Sequence, residues 1–286
     1  MFKYLFIIGL VFVSFLVQGC NPVISQNSKS EIKSETPQLR KDEVPKQQKV
    51  EFKGVSFSYN PQIFGKVKSE EVAERPLEDE THKPSYVTPK QRLFAFELAT
   101  DFSEMYLTVS LINDFPRMYA IDPLSVKGAI KDNENLRKVL KDKNFRVENQ
   151  IPYLPFTDAS QSFQAKVKHC NFQNGQGILF LTFWETQYEL PSNRQLRYVF
   201  EGLTNDGKYY VLAQMPVSVA FLPEDDTEEF EGYKIPWSKL KDEAEMKRFE
   251  EVKKEIGKRL ENLKPNEFEP NLNYFEEMIS SLKVEK

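Results

Sequence analysis

The sequence predicts an α+β fold with a mainly antiparallel sheet, a central helix and C-terminal helices packed on it. Three observations lead there. Short aromatic and β-branched runs cluster in two groups, an amphipathic helical pattern lies between them, and two more helical patterns close the chain. Grouped strands and grouped helices without regular βαβ alternation are the mark of this class. The same pattern argues against a bilobed solute-binding fold, which would repeat βα units.

In the first group, Val50 to Tyr59 alternates through Phe52, Val55, Phe57 and Tyr59 and reads as a strand. Leu93 to Ala99 and Met105 to Ile112, separated by Asp101-Phe102-Ser103, read as a hairpin. Asp122-Pro123 puts a capping residue before a first-turn proline. Ile130, Leu136, Val139 and Leu140 follow at near-helical spacing, so a helix is expected between Pro123 and Lys141, with a break at Asp132-Asn133.

The second group comprises Phe163 to Phe172, Gly177 to Tyr188, Leu196 to Leu203 and Lys208 to Val217. Asn174-Gly175 and Asn205-Asp206-Gly207 punctuate it, supplying residues that tolerate positive φ in tight hairpins. From Ser238 on, Phe249, Val252, Ile256, Leu260 and Leu263 recur every three or four residues until Pro265. Leu272, Phe275, Ile279 and Leu282 mark a second, shorter helix. Both are expected to pack on the sheet.

Ahead of this domain the chain carries an export pattern. Lys3 precedes a stretch from Tyr4 to Val17 without a charge, and Gly19 precedes Cys20. The stretch falls short of the roughly 20 apolar residues a bilayer span requires. Residues 1–19 are therefore expected to be a signal peptide and Asn21 to Lys49, poor in apolar residues, a disordered tether. Such a tether reaches roughly 30 Å as a flexible chain. Residues 50–286 then form a single globular domain.

The chain has a formal net charge of −4, and loss of Lys3 with the leader brings it to about −5. Nothing in it offers the basic footprint that nucleic acid requires.

Val17-Gln18-Gly19-Cys20 resembles the lipobox of bacterial lipoproteins. That resemblance implies a lipidated Cys20, a diacylglyceryl thioether and an acylated amino terminus. The membrane would be held through that lipid, outside the cytoplasm in the cell envelope. Two acyl chains hold far more firmly than one, at about 0.8 kcal/mol per buried methylene.

A second resemblance covers Pro152 to Pro223. Pro152-Tyr153-Leu154-Pro155, Phe172-Gln173-Asn174-Gly175-Gln176-Gly177 with Phe180-Leu181-Thr182, and Gly202-Leu203-Thr204-Asn205-Asp206-Gly207-Lys208-Tyr209-Tyr210-Val211 look like an uncharacterised family of bacterial lipoproteins and exported proteins. Pro216 and Leu222-Pro223 follow the same pattern, and Glu276 to Val284 is similar to that family's closing helix. It implies no activity. Gly54-Val55-Ser56-Phe57-Ser58-Tyr59-Asn60-Pro61 is similar to the opening strand of exported domains resembling photosystem II protein P, which implies an antiparallel sheet flanked by helices.

Candidate chemistry is sparse. His169-Cys170 adjoins a base and a thiol, but on a strand the two point to opposite faces. Cys170 is expected to be a buried packing residue, sharing its parity with Phe172. The run Glu224-Asp225-Asp226 with Glu228-Glu229 and Glu231 offers hard oxygens, so Asp225, Asp226, Glu228 and Glu229 are a candidate cation site against the plainer reading of a solvated acidic turn. His82 stands in a polar stretch, and two His with one remaining Cys are too few for a zinc site, so neither metal nor cofactor is expected. No Gly-x-Ser-x-Gly elbow or phosphate loop occurs, and no catalytic residue is assigned. Phe183-Trp184 and Tyr209-Tyr210 are expected to split between core and surface.

The functional expectation is a membrane-anchored, non-enzymatic domain that binds an envelope protein or a small ligand. The alternatives are a carboxylate-dependent hydrolase acting on an envelope polymer and, more narrowly, a solute-binding lipoprotein.

Overall fold

The computed structural model describes residues 47–78, 87–98, 105–142, 151–155, 159–225, 229–236, 238 and 242–286, which lie in one compact unit. The α+β class holds. Its centre is a seven-stranded antiparallel sheet made of two meanders.

The chain opens with β1 (Gln48–Phe52) and β2 (Val55–Tyr59), joined at Lys53-Gly54 where both residues have positive φ. The expected single strand over Val50 to Tyr59 is thus a hairpin. The apolar positions change parity across the turn, from Val50 and Phe52 to Val55, Phe57 and Tyr59, as a two-residue loop requires. A short helix α1 (Pro61–Phe64) leads to β3 (Val67–Val72), which the sequence reading missed because Lys68, Glu70 and Glu71 dominate it. β4 (Gln91–Phe96) and β5 (Met105–Leu111) pair as expected, completing the first meander; Asp101-Phe102-Ser103 lies outside the described residues.

Next come α2 (Asp114–Met118) and α3 (Pro123–Lys141), the latter capped by Asp122, whose carboxylate accepts from Leu124 N at 3.0 Å. α3 runs unbroken through Asp132-Asn133. Leu136, Val139 and Leu140 on the following turns are buried against the sheet, which holds the helix together across two poor helix formers.

The second meander is β7 (Ala165–Phe172), β8 (Gly175–Thr182), β10 (Arg197–Thr204) and β11 (Tyr209–Pro216), with β11 pairing β5 to join the halves. Two dyads, β6 (Ser160–Gln161) with β9 (Trp184–Glu185) and β12 (Glu229–Phe230) with β13 (Tyr233–Lys234), lie outside it. The chain ends in α4 (Glu243–Asn262), α5 (Leu272–Ser281) and β14 (Lys283–Val284), which pairs β2. The expected helical tail through Val284 therefore stops at Ser281 and turns into a strand.

The two marked turns differ. Gly207 has φ +67°, as expected for the Asn205-Asp206-Gly207 turn, and the Asp206 carboxylate accepts from Thr204 Oγ1 and Lys208 N. At Asn174-Gly175 neither residue has positive φ, which corrects the expectation. Gly175 is required instead by close approach, since a Cβ there would lie 1.9 Å from the Phe172 ring. The Asn174 side chain is spent on β14, donating to Val284 O at 2.6 Å and accepting from Val284 N at 3.0 Å.

One face of the sheet carries Phe94, Leu107, Leu179, Tyr198 and Phe200, covered by α4, α5 and the small β1–β2–β14 sheet. The other carries Phe180, Val199, Leu203 and Leu212 under α3. β7 has a bulge at Lys166, φ +54°, which turns Val167 out to 48% exposure and sets Cys170 and Phe172 towards the first core. The parity that Cys170 shares with Phe172 thus becomes the inward one from this bulge onwards.

Candidate functional site

The site begins with an exception to a helical pattern. The buried stripe of α4 is Phe249, Lys253, Ile256 and Leu260, so a lysine stands where the spacing calls for an apolar residue. The Lys253 side chain is only 7% exposed. A buried ammonium requires a counter-charge, and Glu185 supplies it with Oε1 at 2.8 Å. Glu250 stands farther off at 3.6 Å, and the Phe249 ring centre lies 4.9 Å from the ammonium.

Glu185 is placed there by β9, whose register sets Glu185 opposite Ser160 and Trp184 opposite Gln161. The same dyad leads the chain into Ser162, whose amide donates to Phe183 O, and Phe163, whose carbonyl accepts from Thr182 Oγ1 at 2.7 Å. Residues 162–164 then face α4. Between them and Lys253, Lys254, Gly257 and Lys258 lies a groove of about 480 Å3. The far end of α4 is fixed by the β7 bulge, where Lys166 donates from its backbone to the Glu261 carboxylate and from its ammonium to the carbonyls of Glu261 and Leu263. A cation there also complements the negative end of the helix.

Two polar atoms at this site have no partner among the described residues: Ser162 Oγ and Glu185 Oε2, both shut off from solvent. Leaving such a group unsatisfied costs about 1–3 kcal/mol. Gly257 adds a further cost, since glycine in a helix interior is about 1 kcal/mol less favourable than alanine. No close approach demands it: a Cβ there would meet nothing nearer than Phe163 Cβ at 3.9 Å. Lys254 and Lys258, four apart on the groove side, repel one another weakly. Local stability is given up at several points along one stretch of helix.

A second buried acid lies on the opposite face. Glu201 on β10 is fully buried; Oε2 accepts from Tyr210 Oη at 2.8 Å and Oε1 has no partner among the described residues. Burial pushes its carboxyl well above the usual range, which the Tyr210 hydrogen bond only partly offsets and the Asp132 charge increases. Around it, Tyr106 and Tyr153 are hydrogen-bonded and both pushed up by burial, and desolvation lowers Arg197 to about 10. The carboxyl lies among Val199, Leu203 and Leu212 beneath α3, where burial favours its protonated form.

The residues singled out from sequence fall elsewhere. Cys20, Asp226, Glu228 and His82 lie outside the described residues. Asp225 and Glu229 are exposed, and Glu231 is engaged by Arg259 at 2.7 Å. Among the described residues no group of three or more His, Cys, Asp or Glu is placed to hold a metal ion. Cys170, expected to be buried, is only half-buried against the first core, and burial, with Glu276 nearby, pushes its thiol up to about 12. A thiol so shifted is a poor nucleophile. Phe183 and Tyr210 are buried while Trp184 and Tyr209 are half-buried, the latter under the Arg92 guanidinium at 4.7 Å.

The sequence reading passed over Lys253, Glu185, Ser162 and Gly257. One signal was present: Lys253 lies four residues after Phe249 and three before Ile256, within the apolar stripe. Its partner is 68 residues away in sequence and carries no mark of its own.

Glu250 and Glu261 are eleven residues apart on one helix, about 16 Å at 1.5 Å per residue, whereas Glu185 and Glu250 both reach the Lys253 ammonium, at 2.8 and 3.6 Å, and stand no farther apart than the roughly 5–9.5 Å that separates paired glycosidase carboxylates. No protein-family model matches the chain, and no curated protein matches it.

Proposed function

We propose that the chain is a membrane-anchored bacterial lipoprotein whose globular domain is a non-enzymatic binding module of the cell envelope, with the α4 groove as its binding site. The anchor reading rests on the lipobox-like Val17-Gln18-Gly19-Cys20 and the polar stretch behind it. Among the described residues no helix is long and apolar enough to cross a membrane. Lipid on Cys20 is the attachment this reading assigns.

The observation that carries the binding reading is the groove floor: a lysine in an apolar stripe, paired with Glu185, beside a hydroxyl that lacks a partner among the described residues. Packing alone favours apolar residues at such a position, and a ligand gives these groups a use. A carboxylate-dependent hydrolase would need two carboxylates facing a substrate; Glu185 and Glu250 stand close together here, but both engage Lys253 and Glu185 does not line the groove.

Two measurements test the reading. Cys20→Ser should move the folded protein from the membrane to the soluble fraction, and retention through salt and carbonate washes would overturn the anchor. Hydrogen exchange of the full chain with a detergent extract of its native envelope should show added protection at residues 162–164 and 250–261. Protection confined to other segments would overturn the site.

A further inference from the structure

We propose that the outer face of α3 docks on an anionic lipid surface, its exposed aliphatic side chains entering the headgroup layer and its lysines lying against the lipid charge. This rests on the Cys20 anchor reading, which keeps the domain beside a membrane.

Helical geometry defines the face. Leu136, Val139 and Leu140 are buried against the sheet. At 3.6 residues per turn, Leu124, Lys127, Lys131, Glu134, Lys138 and Lys141 fall on the opposite side within an arc of about 100°, and all six are exposed. Ile130 flanks that arc and Ile121 precedes the helix. Of the six large apolar side chains exposed among the described residues, three stand on this short stretch: Leu124 at 81%, Ile121 and Ile130 at 45%.

The charge on this face runs against that of the chain. Four lysines meet one glutamate there, while the whole chain carries −4. None of the four makes an ion pair among the described residues. The helix dipole accounts for Lys138 and Lys141 in the last turn, but not for Lys127 and Lys131 in the first half. Helix α4 shows what a merely solvated face holds: its exposed residues mix four cations with five carboxylates and include no large apolar side chain.

A lipid surface meets both halves of this chemistry. A helix lying at the interface sinks its aliphatic side chains into the headgroup boundary while its lysines meet the lipid charge. An aliphatic standing as far out as Leu124 on a convex helix needs a matching pocket on a protein partner, whereas a fluid interface takes it where it stands. The tether gives such weak contacts weight, since at roughly 30 Å it holds the face at a high effective concentration beside the membrane. α3 and α4 cover opposite faces of the sheet, so docking through α3 leaves the α4 groove open.

The test places the full lipidated chain in vesicles with nitroxide-bearing lipid as quencher. A bimane label sits on Leu124→Cys or, on the other face, on Lys258→Cys, both in a Cys170→Ser background. In phosphatidylglycerol vesicles the Leu124 label should be quenched about threefold or more over the Lys258 label. Added salt, or phosphatidylcholine alone, should bring the two together. Lys127→Gln and Lys131→Gln should each lower the ratio of docked to free domain about fivefold, with the melting temperature unchanged. Equal quenching of the two labels in phosphatidylglycerol, or full quenching retained in the double lysine variant, would overturn the proposal. Self-association in detergent that the lysine variants abolish would give the face to a second copy and overturn it too. Flotation with phosphatidylcholine vesicles judges the anchor separately. A chain that floats but shows equal quenching is anchored and undocked; a chain that fails to float loses the anchor, and docking then stands or falls on its binding to phosphatidylglycerol vesicles.

Discussion

Helices α4 and α5 cover the same face of the sheet but bury different things. The inward stripe of α5 is Leu272, Phe275, Met278 and Ile279, each 1% exposed or less. That of α4 runs Phe249, Lys253, Ile256, Leu260 and is followed round the helix by Gly257. α5 is optimised for packing; α4 is not, and the groove lies where it departs. Where a helix serves only the core, spacing and hydrophobicity agree residue by residue. A local disagreement marks a residue kept for another reason.

The largest expected effect lies on α5. Phe275 is fully buried with its ring centre 5.7 Å from that of Tyr198, and Phe275→Ala should cost about 3–5 kcal/mol in urea denaturation. A loss under about 1 kcal/mol would mean that α5 is not the packing element the contrast assumes.

On α4 the contrast predicts a different pattern. Lys253→Met alone strands the Glu185 carboxylate and should cost about 3 kcal/mol, whereas adding Glu185→Leu should restore most of that or exceed the parent. Urea midpoints for the parent, both single variants and the double variant measure this. A double variant no more stable than Lys253→Met would show that the pair holds α4 in place, and the difference between the helices would lose its functional meaning.

Much of this architecture was legible in sequence. The strands of the second meander follow from their apolar runs and the turn residues between them, and α3, α4 and α5 from periodicity and caps, because each helix buries one face against a single partner layer. The site was not. The Lys253–Glu185 pair joins α4 to a two-residue strand, and only the sheet register brings β9 beneath the helix. The β7 bulge was equally hidden: Phe163, Ala165 and Val167 alternate without a break, and the inserted residue is explained by what Lys166 reaches at the end of α4. The Val50 to Tyr59 hairpin shows the converse: the one-residue shift of the apolar positions between Phe52 and Val55 was a visible sign of the turn at Lys53-Gly54.

On the opposite face Glu201 is buried with a tyrosine rather than a counter-charge against it, and pH should separate the two. Glu201 has its carboxyl raised by burial, with Tyr210 from β11, Asp132 from α3, Tyr106 from β5, Arg197 on its own strand and Tyr153 the ionisable groups around it. Since the folded value lies above the unfolded one, its contribution to stability is fully present below the unfolded value near 4.5 and is lost progressively as pH rises towards the folded value. Glu201→Gln should flatten the fall in stability as pH rises above the unfolded value, read from melting temperatures across a pH series. An unchanged slope would mean that Glu201 is ionised and has a partner supplied from outside the described residues.

The smallest expected effect decides most about the groove. Gly257→Ala should raise stability by about 1 kcal/mol through helix propensity alone, since the added methyl meets only Phe163 at ordinary contact distance. Gly128 in α3 provides the comparison, for a Cβ there would meet nothing within 4 Å. Equal gains at the two positions would show that neither glycine has a packing role. At Gly128 that leaves an exposed helix face indifferent to its residue. At Gly257 it leaves a glycine retained at a cost beside two lysines and an unpartnered hydroxyl, the circumstance in which open space is the property being kept. A loss of stability at Gly257 with a gain at Gly128 would instead mean that α4 and the 162–164 segment approach too closely for a methyl group, and the groove would be narrower than a ligand site requires.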